Sequence, residues 1–181
     1  MAEVKGIFSS LAKLKLTSKE LLVKANLILA KSLPKKIFVT CTYGIIDIEK
    51  ETFLFARAGH APILHLTNNN MQQLVPQGIG LGINFTEKFE NLLKDMEIKL
   101  NNNDIIILFT DGINETLNEH FEEFGYKRLE KLILDNKDLT PDQIAKKIME
   151  ALTMFSQNRS QHDDITLVIL KWNNNNKVGV N

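Results

Sequence analysis

The sequence predicts an α+β protein in which antiparallel β-sheets are flanked by helices. Apolar, β-branched runs in the middle of the chain are short and are separated by polar turns, as expected for strands joined in hairpins. Apolar residues recur at helical spacing near the two ends of the chain. Because helices and strands are segregated along the sequence, a parallel sheet built from repeated strand–helix–strand units is disfavoured.

Two helices are expected to open the chain as a hairpin over about residues 4–32. Residues 4–16 carry apolar side chains at helical spacing, and Thr17 with Glu20 has the spacing of a capping box that starts the second helix. Leu33-Pro34 is expected to end that helix, because the residue before a proline disfavours helical geometry.

The remaining elements follow from the same patterns. Later helices are expected at about 126–134 and 140–158, the second opened by Thr140, Pro141 and Gln143. Residues 173–181 are rich in asparagine and are expected to be disordered. The expected strands cover residues 37–47, 52–58, 63–66, 71–75, 92–100, 104–110 and 163–171.

Composition restricts the possible partners and the compartment. The 181 residues carry a formal net charge of +0, with only three arginines, so a nucleic acid or an anionic membrane surface is not an expected partner. The single Cys41 cannot form an intramolecular disulfide, which favours a reducing compartment. We expect a cytoplasmic protein, because we find neither a signal peptide nor an apolar run long enough to cross a bilayer.

Carboxylates stand at the ends of two strand-like segments. Asp111 follows the apolar run 105–109, whereas Asp163 and Asp164 precede the apolar run 165–170. If these strands are antiparallel neighbours, the acids converge, and a hard divalent cation would relieve their repulsion. The alternative is that Asp111-Gly112 is only a turn and the acid pair only caps a strand.

Six motifs occur in one order, and together they resemble the SpoIIE/RsbU branch of the metal-dependent PPM-type serine/threonine phosphatases. The resemblance covers about residues 36–171. The motifs are Phe38-Val-Thr-Cys-Thr-Tyr-Gly-Ile-Ile-Asp47, Ala58-Gly-His-Ala-Pro62, Gly80-Leu-Gly82, Phe109-Thr-Asp-Gly-Ile-Asn-Glu115, Phe124-Gly-Tyr-Lys-Arg-Leu129 and Asp163-Asp-Ile-Thr-Leu-Val168.

The resemblance implies a sandwich of antiparallel sheets with a dinuclear Mn²⁺ or Mg²⁺ centre at one edge. It implies hydrolysis of phosphoserine or phosphothreonine on a regulatory protein, often an anti-sigma-factor antagonist. Asp111 and Asp163 would be metal ligands, with Asp164 as a neighbouring candidate. Metal-bound hydroxide would attack phosphorus, so no protein side chain is assigned as a catalytic nucleophile.

One departure from the family pattern affects the expected activity. The family takes further ligands from a Gly-Asp-aromatic-aromatic-Asp strand and an Asp-x-x-Gly-His-Gly loop, whereas this sequence has no aspartate before Asp47. We therefore expect an N-terminally truncated phosphatase domain over residues 1–172, with weak or absent metal binding and little activity. The alternative is a non-catalytic regulatory or dimerisation module. Expected partners are a phosphoprotein, an upstream sensor domain in the intact protein and a second copy of the chain.

Other polar residues are candidates for the site. Arg57 is a candidate phosphate-binding cation, or else it pairs with a carboxylate. His60 could bind substrate or order its own loop, and His162 could donate a proton or lie exposed. Glu115 could reach the site through water or cap the following turn.

Overall fold

The computed structural model describes residues 2–83, 86–157 and 163–174. In chain order its elements are α1 (Ala2–Leu11), α2 (Ser18–Ser32), β1 (Cys41–Asp47), β2 (Thr52–Ala58), β3 (Ile63–Thr67), β4 (Asn70–Leu74), α3 (Thr86–Leu92), β5 (Asp95–Lys99), β6 (Ile105–Phe109), α4 (Gly125–Asp135), α5 (Pro141–Ser156) and β7 (Leu167–Lys171).

The elements divide between two compact units. The first unit combines Met1–His60 with Val75–Leu100, and the second combines Ala61–Leu74 with Asn101–Asn181. Each unit contains one antiparallel sheet, so the predicted α+β class with antiparallel sheets and helices is confirmed.

The first unit packs α2 against a sheet with the strand order β1-β2-β5. Helix α2 begins with the predicted capping box, because the Thr17 side chain accepts from the Glu20 amide and the Glu20 side chain accepts from the Thr17 amide. The buried core of this unit combines residues of α2 and β2 with residues of the 79–93 segment. Its members are Leu21, Leu22, Ala25, Leu29, Ala56, Ala58, Leu81, Phe89 and Leu93.

The second unit contains a sheet with the order β4-β3-β6-β7, and α4 and α5 contribute to its core. Strand β6 is central and reads Ile-Ile-Ile-Leu-Phe, as expected where a strand is covered by neighbours. Ile107 pairs with Leu64 on β3 and with Ile169 on β7, so β6 fixes the register of both neighbours. The ends of β6 are therefore held in defined positions.

Several predicted boundaries were correct, whereas others were wrong. Strand β2 has the predicted bounds, but the first helix ends at Leu11 rather than at residue 16, and β1 begins at Cys41 rather than at residue 37. The segment 92–100 is not one strand, because helix α3 runs to Leu92 and β5 starts at Asp95.

The difference in the 92–100 segment has a clear physical reason. Phe89 and Leu93 are both buried and lie four residues apart, a helical spacing that the sequence analysis did not recognise. In a further difference, the last strand starts at Leu167 rather than at residue 163. The preceding residues are joined to Thr110, whose amide donates to the Thr166 carbonyl over 3.0 Å and whose hydroxyl bonds to the Asp164 carbonyl and the Thr166 amide. Residues 175–181 of the predicted disordered tail lie outside the described part of the chain.

Within the described residues we find no helix that is both long and apolar enough to cross a membrane.

Candidate metal-binding site

The end of β6 lies beside the segment that leads into β7. Phe109 pairs with Leu167 in the antiparallel ladder. The next residue, Thr110, donates its hydroxyl to the carbonyl of Asp164 over 2.9 Å and accepts from the amide of Thr166 over 2.9 Å. The predicted convergence of the two strand ends is therefore confirmed for the backbone, and Asp111 directly follows the residue that joins them.

Gly112 allows the two segments to approach closely. A Cβ atom at this position would lie 2.8 Å from the carbonyl oxygen of Asp164 and 3.3 Å from that of Asp163. Real Cβ atoms essentially never come as close as the first of these distances, and the obstacle is backbone rather than a flexible side chain. The glycine of the Asp-Gly pair is thus required by packing against the Asp163–Asp164 segment and is not only a turn residue.

The acids at this end of the sheet repel one another. Partial desolvation raises the pKa of Glu115, and the carboxylates of Asp111, Glu123 and Asp163 raise this pKa further. Asp111, Asp163 and Asp164 are all exposed. The amide of Glu115 donates to the Asp111 carbonyl over 2.9 Å, so Glu115 lies one turn from Asp111. Both predicted positions of Glu115, near the site and in a turn, are therefore compatible with the structure.

Asp111, Asp163 and Asp164 are the type of side chain that binds a divalent cation, but the described residues do not supply a complete set of ligands. Carboxylate oxygens are the donors that Mg²⁺ and Mn²⁺ prefer. However, the structure of residues 2–83, 86–157 and 163–174 contains no group of three or more His, Cys, Asp or Glu side chains that could hold a metal ion. One oxygen of Asp163 also accepts from the Asp164 amide over 2.7 Å. The described acids can form only part of a ligand set, and their role as ligands stays a prediction.

The chain leaves Asp111 through an ordered loop that the sequence analysis did not single out. The hydroxyl of Thr116 donates to the Gly112 carbonyl over 2.7 Å, and the amide of Phe124 donates to the Thr116 carbonyl over 2.8 Å. Leu117 and Glu123 pair across the loop as an isolated antiparallel bridge. Residues 118–123, which we call the Phe121 turn, are thereby connected to the backbone beside the acids.

Arg57 and His60 both belong to the first unit. The Nε atom of Arg57 donates to the Pro76 carbonyl over 3.3 Å, and its Nη1 atom donates to the His60 carbonyl. The ring nitrogen Nδ1 of His60 lies 3.2 Å from the Thr40 hydroxyl. These contacts support the loop-ordering interpretation of His60, whereas substrate contact by either residue stays a prediction. His162 lies outside the described residues.

Solved structures identify the class of fold. The chain superposes on the PP2C phosphatase domain of the Bacillus subtilis cell-fate determinant SpoIIE with a TM-score of 0.76 at 20% identity, covering 94% of this chain and 49% of that one. It matches the RsbU and RsbW domains of a Mycobacterium tuberculosis protein with a TM-score of 0.77 at 22% identity, covering 94% and 46%. The fold is therefore that of a PP2C-type phosphatase domain.

Sequence comparison identifies the family. The model described as Stage II sporulation protein E (SpoIIE) matches residues 1–173. The phosphoserine phosphatase RsbU of Bacillus subtilis is 27% identical over 176 residues, which are 94% of this chain and 50% of RsbU. The chain belongs to the SpoIIE family, a family of serine/threonine phosphatases. It spans about half the length of RsbU.

Proposed function

We propose that this chain is a metal-dependent phosphatase domain that removes phosphate from phosphoserine on a regulatory protein. An anti-sigma-factor antagonist is the substrate class that the SpoIIE/RsbU resemblance suggests. The observation that carries the proposal is the pair of Thr110 hydrogen bonds that hold Asp111 beside Asp163 and Asp164. The similarity to a protein named phosphoserine phosphatase supports the choice of substrate residue.

In this proposal Asp111 and Asp163, with Asp164 as a neighbour, bind Mn²⁺ or Mg²⁺. Like charges that stand close together repel, and a divalent cation relieves that repulsion. At this edge the pKa of Glu115 is raised by desolvation and by the carboxylates of Asp111, Glu123 and Asp163. A divalent cation supplies charge neutralisation for phosphoryl oxygens and a hydroxide at neutral pH. Because the described acids form no three-member ligand group, we expect weak metal binding and low turnover from this chain by itself.

Arg57 and His60 of the first unit stay candidates for substrate binding from the sequence. The guanidinium of Arg57 is held by the carbonyls of Pro76 and His60, and the His60 ring contacts Thr40.

The test is hydrolysis of a phosphoserine protein across a Mn²⁺ concentration series, with p-nitrophenyl phosphate measured in parallel. We expect slow, Mn²⁺-dependent turnover that is lost in Asp111→Asn and in Asp163→Asn. Asp138→Asn, which removes an exposed carboxylate after α4, is the matched control and should retain the rate. Turnover that is independent of metal, or unchanged in Asp111→Asn, would contradict the proposal.

A non-catalytic regulatory or dimerisation module is the second candidate, and the incomplete acid set of the described residues favours it. Strand β1 lies at an edge of its sheet, and Ile46 and Ile48 near its end are 37% and 72% exposed. An exposed edge with apolar neighbours can pair with a second copy. Light scattering across a concentration series tests this candidate: a mass that stays near 20.6 kDa would argue against the dimer.

A further inference from the structure

The motif Phe124-Gly-Tyr-Lys-Arg-Leu129 is part of the family resemblance, but the proposed function gives it no role. It opens helix α4, whose first residue is Gly125. Leu129 and Phe124 are buried in the core of the second unit. Arg128 differs from both, because it lies at the surface. Its role must therefore come from its contacts rather than from burial.

The guanidinium of Arg128 is held by three contacts. Its Nη1 atom donates to the carbonyl of Glu123 over 2.9 Å and to that of Phe124 over 3.0 Å. Its Cζ atom lies 4.9 Å from the centroid of the Phe155 ring, a distance at which a cation is attracted to an aromatic face. A planar guanidinium can donate to backbone while its face lies on a ring, a combination that the ammonium group of lysine does not reproduce.

The same aromatic ring supports Phe124. The centroids of the Phe124 and Phe155 rings are 5.3 Å apart, and the ring planes are inclined by 80°. Such an edge-to-face pair is a favourable aromatic arrangement. Helix α5 therefore holds the side chain of Phe124, while Arg128 holds the backbone at residues 123–124.

This part of the backbone supports the turn that follows β6. The amide of Phe124 donates to the Thr116 carbonyl over 2.8 Å, and the amide of Gly125 donates to the Asn114 carbonyl over 2.9 Å. Gly125 has a φ angle of +73°, a left-handed conformation that glycine adopts without strain. Residues 114–116 are thereby braced by the start of α4.

The braced turn leads directly to the candidate metal-binding site. The hydroxyl of Thr116 donates to the Gly112 carbonyl over 2.7 Å. On its other side Gly112 lies against the Asp164 segment, where an added Cβ would be 2.8 Å from the carbonyl oxygen. Hydrogen bonds of 2.7–3.0 Å therefore connect Arg128 with the residue next to Asp111.

We propose that Arg128 is a positioning residue for the candidate metal-binding site, which keeps Asp111 beside the Asp163–Asp164 segment through the backbone of Phe124 and the hydroxyl of Thr116. This assignment rests on the proposed phosphatase function and adds a residue that preorganises its site. In this role Arg128 touches neither metal nor substrate. Because its positive charge disfavours a cation nearby, positioning and electrostatics predict opposite effects of its removal on metal binding.

The first measurement is amide hydrogen exchange of the full chain without metal. In Arg128→Met the amides of Phe124 and Gly125 should exchange about tenfold faster, equivalent to ~1.4 kcal/mol of local opening. The Trp172 amide, which donates to the Asp104 carbonyl at the other end of β6, should keep its rate. Unchanged exchange at Phe124 and Gly125 would overturn the assignment.

The second measurement is Mn²⁺ affinity by calorimetry. Arg128→Met and Arg128→Lys should both weaken Mn²⁺ binding about threefold, which is less than the loss typical of groups bonded directly to a metal ligand. Lys127→Met is the matched control, because it removes an exposed positive charge from the same turn of α4. This control should bind Mn²⁺ as tightly as the wild type or more tightly.

Two results of the Mn²⁺ measurement would also overturn the assignment. A purely electrostatic role gives tighter binding in Arg128→Met and unchanged binding in Arg128→Lys. A purely structural role gives faster amide exchange in Arg128→Met with unchanged Mn²⁺ affinity.

Failure of this assignment can be told from failure of the proposed function. If Asp111→Asn weakens Mn²⁺ binding but Arg128→Met does not, only the Arg128 assignment is wrong. If Mn²⁺ binding by the wild-type chain does not depend on Asp111, the proposed function is wrong, and the Arg128 assignment is rejected with it.

Discussion

The two ends of strand β6 carry aspartates in opposite environments. Asp104, just before the strand, is 2% exposed, and its Oδ2 atom lies 3.0 Å from Nε2 of the buried His65 and accepts from the Asn101 amide over 2.9 Å. Asp111, just after the strand, is exposed among other acids. The Asp104 carboxylate is satisfied by His65 and the Asn101 amide, and these contacts stabilise the fold. The Asp111 carboxylate instead has acidic neighbours, and their like charge destabilises the fold.

This contrast separates a structural acid from a candidate functional one. A buried carboxylate must be satisfied within the protein, because an unpaired polar group there costs free energy. An exposed cluster of like charge is tolerated because water screens it, and the repulsion that remains favours binding of a cation. Both residues are aspartates that flank the same strand, so the partners make the difference.

Removal of the buried Asp104 carboxylate is expected to have the largest effect on stability. Asp104→Ala should lower the free energy of unfolding by about 3 kcal/mol, since it leaves His65 and the Asn101 amide without their acceptor. Asp111→Ala should leave the stability unchanged or raise it, because it removes a repelling charge. Urea unfolding of both variants measures the difference. Equal losses in the two variants would contradict the contrast between the two ends of β6.

The close approach at Gly112 should give the next largest effect. Gly112→Ala brings a Cβ to 2.8 Å from the Asp164 carbonyl, so the two segments must separate at a cost of about 2 kcal/mol. Because the separation moves Asp163 and Asp164 away from Asp111, Mn²⁺ affinity measured by calorimetry should fall as well. Gly6→Ala in α1 is the control: its new Cβ meets nothing within 4 Å, and it should stabilise the chain. Unchanged stability and Mn²⁺ affinity in Gly112→Ala would show that the close approach is unimportant.

The strands and the convergence of the two strand ends could be predicted from sequence because both depend on local patterns. Asp111, Asp163 and Asp164 flank apolar runs, and only the antiparallel pairing of those runs was needed to bring the strand ends together. The contact of His65 with Asp104 could not be predicted, because the two residues are 39 positions apart and neither has a distinctive neighbourhood. The exposure of Phe121 was not predicted, since an isolated phenylalanine in a sequence is expected to be buried.

The smallest expected effect tests the raised pKa of Glu115, which is caused by desolvation and by the carboxylates of Asp111, Glu123 and Asp163. Its pKa is raised above the ordinary value of 4.5, so the folded chain holds this proton more tightly than the unfolded chain does. Ionisation of Glu115 therefore does not lower the stability of the fold below about pH 4.5. Above that pH the stability falls, and the loss grows as the pH rises through the raised pKa. Glu115→Gln should accordingly raise the melting temperature at pH 7 but not at pH 4. The change should be small because the side chain is exposed.

The effect of added Mn²⁺ on the Glu115→Gln variant provides a second test. If Mn²⁺ binds among Asp111, Asp163 and their neighbours, it neutralises the charge that disfavours ionised Glu115, so the gain from Glu115→Gln should shrink as Mn²⁺ is added. Glu90→Gln, which changes an exposed glutamate of α3 in the first unit, should show neither the pH dependence nor the Mn²⁺ dependence. Melting curves of the three proteins at pH 4 and pH 7, with and without Mn²⁺, supply the measurement. A Glu115→Gln gain that is equal at both pH values would mean that like-charge repulsion does not act at this end of β6.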